Sequence, residues 1–398
     1  MAHPSDIGLE LEEKQSISKT EHILNYTSRG YHPVHLNDVI CKRYKIIHKL
    51  GHDLHSTSWL CSDITAETLK YVTVKIRIAK FSREDYIGEL RAKILSRACI
   101  LSYIDSFEID GPNGHHNVYV YQVLGPSVMG FYPIPNCENS AAKLRNMCFQ
   151  ATKALAVIHA HTHILCHGDF QPAKIFTPVF GLDGRTEPEV LDILGTPKTV
   201  EVLNLSGQAY DLQTTPKYLV EPIDWEKAFS EESSRGLTRG MACLTDLSHS
   251  YSDLQPPADI GRSTAYSSPE KVLEIQSSGQ ANDLWALGCT LFEIRFGLQL
   301  FNTKYEQPED FIEHIKELLD SSKNANNPDY EQVSIREAIC QMISESEHPA
   351  VQYRGKVTES ELALFANLLS KLLKPDPKQR ISAREALKND WFKLPRAW

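Results

Sequence analysis

The sequence predicts a two-lobed α+β protein, an antiparallel sheet plus one helix followed by a mainly helical remainder. Three observations predict it. Short β-branched and aromatic runs crowd residues 44–76, and apolar stripes at helical spacing dominate after Gly125. The two textures also follow one another instead of alternating, which argues against parallel βαβ units.

Residues 1–30 are polar and rich in Ser, Thr and Glu, and read as a flexible tail. Tyr44-Lys45-Ile46-Ile47-His48-Lys49-Leu50, Ser58-Trp59-Leu60-Cys61 and Tyr71-Val72-Thr73-Val74-Lys75-Ile76 read as strands separated by turns. A helix is expected over 84–97 and a strand over 117–124, which close a first lobe at 31–124. The second lobe, 125–398, opens with a helix over 141–160, where Leu144, Met147, Cys148, Ala151, Ala154, Leu155 and Ile158 recur at three- and four-residue steps. Similar stripes run through 283–295, 309–319 and 360–373. A last one covers 382–391, with Ser382 as N-cap and Glu385 at capping-box spacing. Between them, 177–240 holds five prolines and no clear period, and reads as an irregular insert of the second lobe.

The chain has 398 residues, with 51 acidic against 42 basic side chains and a formal charge of −9, so no direct nucleic-acid contact is expected. No run of eighteen apolar residues or secretory signal appears, so no membrane span is expected; an intracellular location, cytoplasmic or nuclear, is. Nine scattered cysteines fit neither a disulfide framework nor a paired-cysteine zinc site. The cluster His159, His161, His163, Cys166 and His167 sits at a helix end, where side chains point different ways, and is not read as a metal site. The charge is unevenly placed: residues 305–347 carry −8, the insert 177–240 carries −5, and the rest of the chain is +4.

Four residues carry chemistry in order. Lys75 ends a strand, Glu89 lies on the helix after it, Asp169 follows the long helix in His167-Gly168-Asp169-Phe170-Gln171-Pro172-Ala173-Lys174, and Asp246 stands in Leu244-Thr245-Asp246-Leu247-Ser248. A cation for phosphates, its orienting anion, a base for the acceptor hydroxyl and a Mg²⁺ ligand are the parts of a phosphoryl-transfer site. With Ser268-Pro269-Glu270, Asp283-Leu284-Trp285-Ala286-Leu287-Gly288 and Arg380, this order resembles the protein-kinase signature set over about 44–395. Gly30-Tyr31-His32-Pro33-Val34-His35-Leu36-Asn37-Asp38-Val39, Arg43-Tyr44 and His55-Ser56-Thr57-Ser58-Trp59-Leu60 resemble the SR-protein kinases in particular. That family also interrupts its core between the two aspartates, as the 77-position gap between Asp169 and Asp246 does here, and carries an acidic docking groove where 305–347 falls.

The resemblance implies ATP and Mg as cofactors and a basic or Arg/Ser-rich protein as partner, bound through 305–347 by a monomer. Lys75 would hold the α/β-phosphates with Glu89 as its partner, Asp169 would take the hydroxyl proton, and Asp246 would hold Mg²⁺. Gly51 would belong to the phosphate-covering loop, Gln122 to Leu124 to the adenine-binding hinge with Tyr121 as gatekeeper, and Glu270–Arg380 to a buried structural pair.

The sequence departs from the pattern at three places. Asp53 and Ser56 replace loop glycines, which should weaken nucleotide binding unless Asp53 turns away. Lys174 stands where an asparagine would ligate a second Mg²⁺, and Gln171 where a lysine is usual. Gly168 replaces an arginine. Lys174 could supply the missing positive charge, so the expectation is a kinase with weakened catalysis. The alternatives are a pseudokinase that binds basic peptides, and a small-molecule phosphotransferase, suggested by the His167-Gly168-Asp169-Phe170 run.

Overall fold

The computed structural model describes residues 19–95, 99–129, 140–161, 165–202, 213–230, 237–254, 264–273, 279–301, 308–319, 335–346, 351, 354 and 356–397. They form two compact units. The first gathers the described parts of Met1–Glu89, Ser102–Gly125 and Pro178–Thr238, and the second those of Leu90–Leu101, Pro126–Thr177 and Arg239–Trp398. No helix among the described residues is long and apolar enough to cross a membrane.

In the first unit, β1 (Val39–Ile40), β2 (Tyr44–Asp53), β3 (Ser56–Asp63), β4 (Tyr71–Arg77), β5 (Asp105–Gly111) and β6 (Gly114–Tyr121) make one antiparallel sheet in the order β1-β2-β3-β4-β6-β5. Alternate residues of these strands, among them Ile46, Trp59, Val74, Val118 and Val120, close one buried layer. Ile47, Leu60 and Tyr71 face a second layer, whose other side is built by residues 179–237.

That second layer differs from the expectation for 177–240. The segment's described residues between Pro178 and Thr238 belong to the first unit, and they carry structure: a helix at Glu187–Leu194, an antiparallel pair Thr199–Glu201 with Tyr218–Val220, and a helix at Trp225–Ser230. Glu189 Oε2 accepts the Thr186 N–H and hydroxyl at the first helix's start, and Gly195 ends it at φ +88°. Lys45 pairs with Glu187 at 2.8 Å, and the Tyr71 N–H donates to Asp183 Oδ1 at 2.9 Å. Elements this short show no period in the sequence; long-range contacts hold them.

The expected tail is also built from residue 19 onward. Glu21 is buried against Lys49, accepts the Tyr26 hydroxyl at 2.5 Å, and brings Ile23, Tyr26 and Tyr31 onto Ile78, Val202 and Leu219. A charged pair with no solvent must be matched within the fold, so this contact fixes the register of the segment on β2.

In the second unit the predicted helices appear at Ser140–His159, Gly279–Phe296, Pro308–Leu319 and Glu359–Leu372. The apolar stripe of the first lies wholly in the core with Trp285, Phe365 and Trp391. Ser382 caps Ala383–Ala386, and Glu385 closes the box. Arg380 grips Glu270 through both oxygens at 2.7 Å, with its guanidinium 5.1 Å from the Trp285 ring centre. Glu361, also buried, accepts from Arg145 and Arg295 at 2.8–3.1 Å.

Candidate active site

The nucleotide-facing candidates of the first unit all lie on its sheet or at the end of β6. β2 turns into β3 through Leu54 and His55 alone, since Asp53 pairs with Ser56. The Asp53 carboxylate makes this turn: Oδ1 accepts the His55 N–H at 2.7 Å and Oδ2 the Ser56 hydroxyl at 3.0 Å. Oδ2 also lies 3.9 Å from Lys75 Nζ. Burial pushes the Asp53 carboxyl up, but Lys75, Arg77 and these hydrogen bonds outweigh it and hold it below the usual range. Asp53 therefore faces Lys75 as an anion. The Tyr31 hydroxyl donates to the Asp53 carbonyl at 2.6 Å and fixes the turn from the N-terminal side. Gly51 has open space where a Cβ would stand.

Lys75 and Glu89 each meet another residue of the first unit. Lys75 meets Asp53, and Glu89 bonds the buried Tyr121 hydroxyl, whose pKa burial raises well above 10 with Glu89 adding to it. At the proposed hinge the Leu124 N–H donates to Thr73 Oγ1 at 3.2 Å, and the Val123 carbonyl accepts from Val179 at 2.9 Å. Gln122 is exposed beside them. Thr73 sits two residues before Lys75 on β4, so the amide that the resemblance gives to adenine is already satisfied within the unit.

The catalytic candidates of the second unit meet at one point. Leu244 pairs with Ile175 and Cys243 with Phe176, which brings Lys174 opposite Thr245; the Thr245 N–H and hydroxyl both donate to the Lys174 carbonyl, at 2.8 and 2.9 Å. Asp246 then adopts a left-handed backbone, φ +60°, which aspartate tolerates better than most residues. Its Oδ2 receives Lys174 Nζ at 2.5 Å, and its Oδ1 the Ser248 hydroxyl. The same ammonium is 3.6 Å from Asp169 Oδ2, and the Gln171 side chain donates to Asp169 Oδ1 at 2.6 Å. Asp169, Lys174 and Asp246 are thus brought together, with Gln171 as a fourth member.

Two further residues hold this loop, and sequence reasoning gave them too little. Buried Asp283 accepts the backbone N–H groups of His167 and Gly168 at 2.6 and 3.1 Å and His159 Nε2 at 2.9 Å, which accounts for His159 without a metal. Burial raises the Asp283 carboxyl, but His159 and His167 outweigh this and keep it low. Gly168 has φ +83°, and a Cβ there would stand 2.4 Å from the His249 carbonyl oxygen. The arginine missing at this position is excluded by backbone contact, a fact that no local pattern reveals.

The donor set does not fit a divalent cation. Mg²⁺ asks for near-octahedral oxygen donors at about 2.1 Å. Here Lys174 stands in the place of an oxygen ligand and occupies one oxygen of Asp246, while Ser248 occupies the other. A +2 ion 4 Å from an ammonium is opposed by about 8 kcal/mol at an effective dielectric of 20, twice the value for two unit charges.

A solved structure of a kinase domain aligns over 91% of this chain and 98% of its own length, with a TM-score of 0.56 and 18% identity. The fold is that of a protein kinase domain. The family model for the protein kinase domain matches residues 240–392, which hold Asp246, Glu270, Asp283 and Arg380 of this kinase fold. The serine/threonine-protein kinase SRPK of Physarum polycephalum is 26% identical over 76% of this chain and 72% of its own. A serine/threonine protein kinase of Aspergillus fumigatus is 22% identical over 91% and 87%. SRSF protein kinase 3 of Homo sapiens is 30% identical over 38% of this chain and 28% of its own length, and spk-1 of Caenorhabditis elegans is matched over only 20% of its length. The two-lobed α+β fold expected from the sequence is therefore the one found, and the expected kinase resemblance is matched by the family model over residues 240–392.

Proposed function

We propose that this chain is a serine/threonine protein kinase of SR-protein kinase type, which moves the γ-phosphate of ATP slowly to serine hydroxyls in basic, Arg/Ser-rich segments. The observation that carries this reading is Asp169: a carboxylate oriented by the Gln171 amide, in a loop pinned by Asp283, with the Lys174 ammonium alongside. Asp169 accepts the serine proton as the serine oxygen bonds to phosphorus and the bond to the ADP oxygen breaks. Lys174 offsets charge on the transferred group. The slowness follows from Asp53, which competes with phosphate for Lys75, and from Thr73, which holds the hinge amide.

The substrate class is supported by charge. On the helix Pro308–Leu319, Glu309, Asp310 and Glu313 are exposed while Phe311, Ile312 and Ile315 are buried. On Ile335–Glu345, Glu337 and Glu345 are exposed while Ala338 and Ile339 are buried. These acids of 305–347 are exposed, and their charge would attract an arginine-rich peptide. Glu306, Asp320, Asp329, Glu331, Glu347 and the Glu317 side chain lie outside the described residues. The chain would work as a monomer in cytoplasm or nucleus.

The second reading, a pseudokinase that binds basic peptides without transfer, is favoured by the same Lys75–Asp53 and Leu124–Thr73 contacts. Phosphorylation of an Arg/Ser repeat peptide against a serine peptide of neutral charge tests the choice. The kinase reading expects ATP-dependent phosphoserine on the basic peptide alone, suppressed by salt; binding with no phosphate on either leaves the pseudokinase.

A further inference from the structure

The resemblance assigns Asp246 to a divalent cation, and the residues around it disagree. The position five residues after Asp169 would bring an oxygen ligand for the metal; here it brings Lys174, whose Nζ lies 2.5 Å from Asp246 Oδ2 and 3.6 Å from Asp169 Oδ2. The contact is set by the backbone, because the Leu244–Ile175 pairing and the two bonds from Thr245 to the Lys174 carbonyl hold residues 174 and 246 side by side. The other Asp246 oxygen accepts the Ser248 hydroxyl and lies 3.4 Å from the Ser248 N–H. The three charged side chains are 15–23% exposed, enough for phosphate to reach the ammonium and little enough for its charge to act.

We infer that Lys174 takes the place of the catalytic metal, so that this chain binds ATP without a divalent cation. An ammonium beside two carboxylates and partly open to solvent puts a positive charge where the metal would be held. It carries half the charge of Mg²⁺ and cannot draw in a second ion. This rests on the proposed nucleotide binding and goes beyond it, since the metal requirement is a separate measurement.

The test is titration of the full chain with a fluorescent ATP analogue in excess EDTA and again in millimolar Mg²⁺, with thermal shift by unlabelled ATP as an independent readout. The inference expects dissociation constants within about threefold of one another in the two buffers. In Lys174→Asn and Lys174→Gln, which remove the ammonium, binding in EDTA should fall about tenfold or more, and in the asparagine variant Mg²⁺ should restore it. Wild-type binding at least about tenfold tighter with Mg²⁺ would overturn the inference and leave the nucleotide reading standing. No binding in either buffer would overturn both.

Discussion

Replacing Asp53 by asparagine should strengthen nucleotide binding, against the usual result of altering a residue beside a phosphate-binding lysine. The asparagine oxygen can still accept the His55 N–H and its amide can meet the Ser56 hydroxyl, so the turn keeps its shape while one negative charge leaves Lys75. Two unit charges near 4 Å are worth about 4 kcal/mol at an effective dielectric of 20 and about 1 kcal/mol in water. The Asp53–Lys75 distance is 3.9 Å and the Asp53 side chain is 52% exposed, which places the effect nearer the lower value, at about 1–2 kcal/mol. ATP affinity should therefore rise about five- to thirtyfold. Titration of wild type and Asp53→Asn at two ionic strengths reads this directly, and the gain should shrink with salt. Unchanged or weaker binding in a variant that melts within a few degrees of wild type would refute the argument that Asp53 competes with phosphate.

Three further outcomes follow from the same geometry. Thr73→Val keeps the side-chain volume but removes the acceptor of the Leu124 N–H, so binding of adenine nucleotides should tighten by about 1 kcal/mol while the unliganded protein loses a similar amount of stability; equal affinity would mean that adenine does not use this amide. Gly168→Ala forces a Cβ against the His249 carbonyl at φ +83°, and should cost about 2–3 kcal/mol, read as a lower melting temperature. Burial holds the His48 and His32 imidazoles at a pKa of about 4, with His116 adding to the depression at His32. Because the folded values lie below the unfolded 6.5, stability is complete above pH 6.5 and is lost as pH falls toward 4. For His48, 3% exposed, this amounts to about 3 kcal/mol, and His48→Gln should flatten that limb of the melting-temperature profile.

How much of this was legible depends on how local the cause is. The helix over Ser140–His159 declares itself through seven apolar residues at helical spacing, and the capping box through two residues three positions apart, Ser382 and Glu385. The order of Lys75, Glu89, Asp169 and Asp246 pointed to the chemistry. It did not reveal that Glu89 would bond Tyr121, that Asp53 would take Lys75, or that Lys174 would sit on Asp246, because each contact is decided by side chains brought together from separate segments of the chain. The segment 177–240 and residues 19–30 were unreadable for a related reason. Their elements are short, and what orders them is a handful of distant partners, Lys45 for Glu187, Asp183 for the Tyr71 amide and Lys49 for Glu21. Gly168 is the opposite case: one glycine in a familiar run looks like a loss until the carbonyl of His249 is seen where a side chain would go.

The most direct measurement is the mass of an Arg/Ser peptide after incubation with ATP and a stoichiometric amount of enzyme, alongside Asp169→Asn, which keeps the Gln171 contact but cannot take the serine proton. A phosphoserine that accumulates with wild type and falls by about a hundredfold or more in the variant is the predicted result. Equal phosphate on the two samples, or none with wild type while ATP binds, would contradict a kinase built on Asp169.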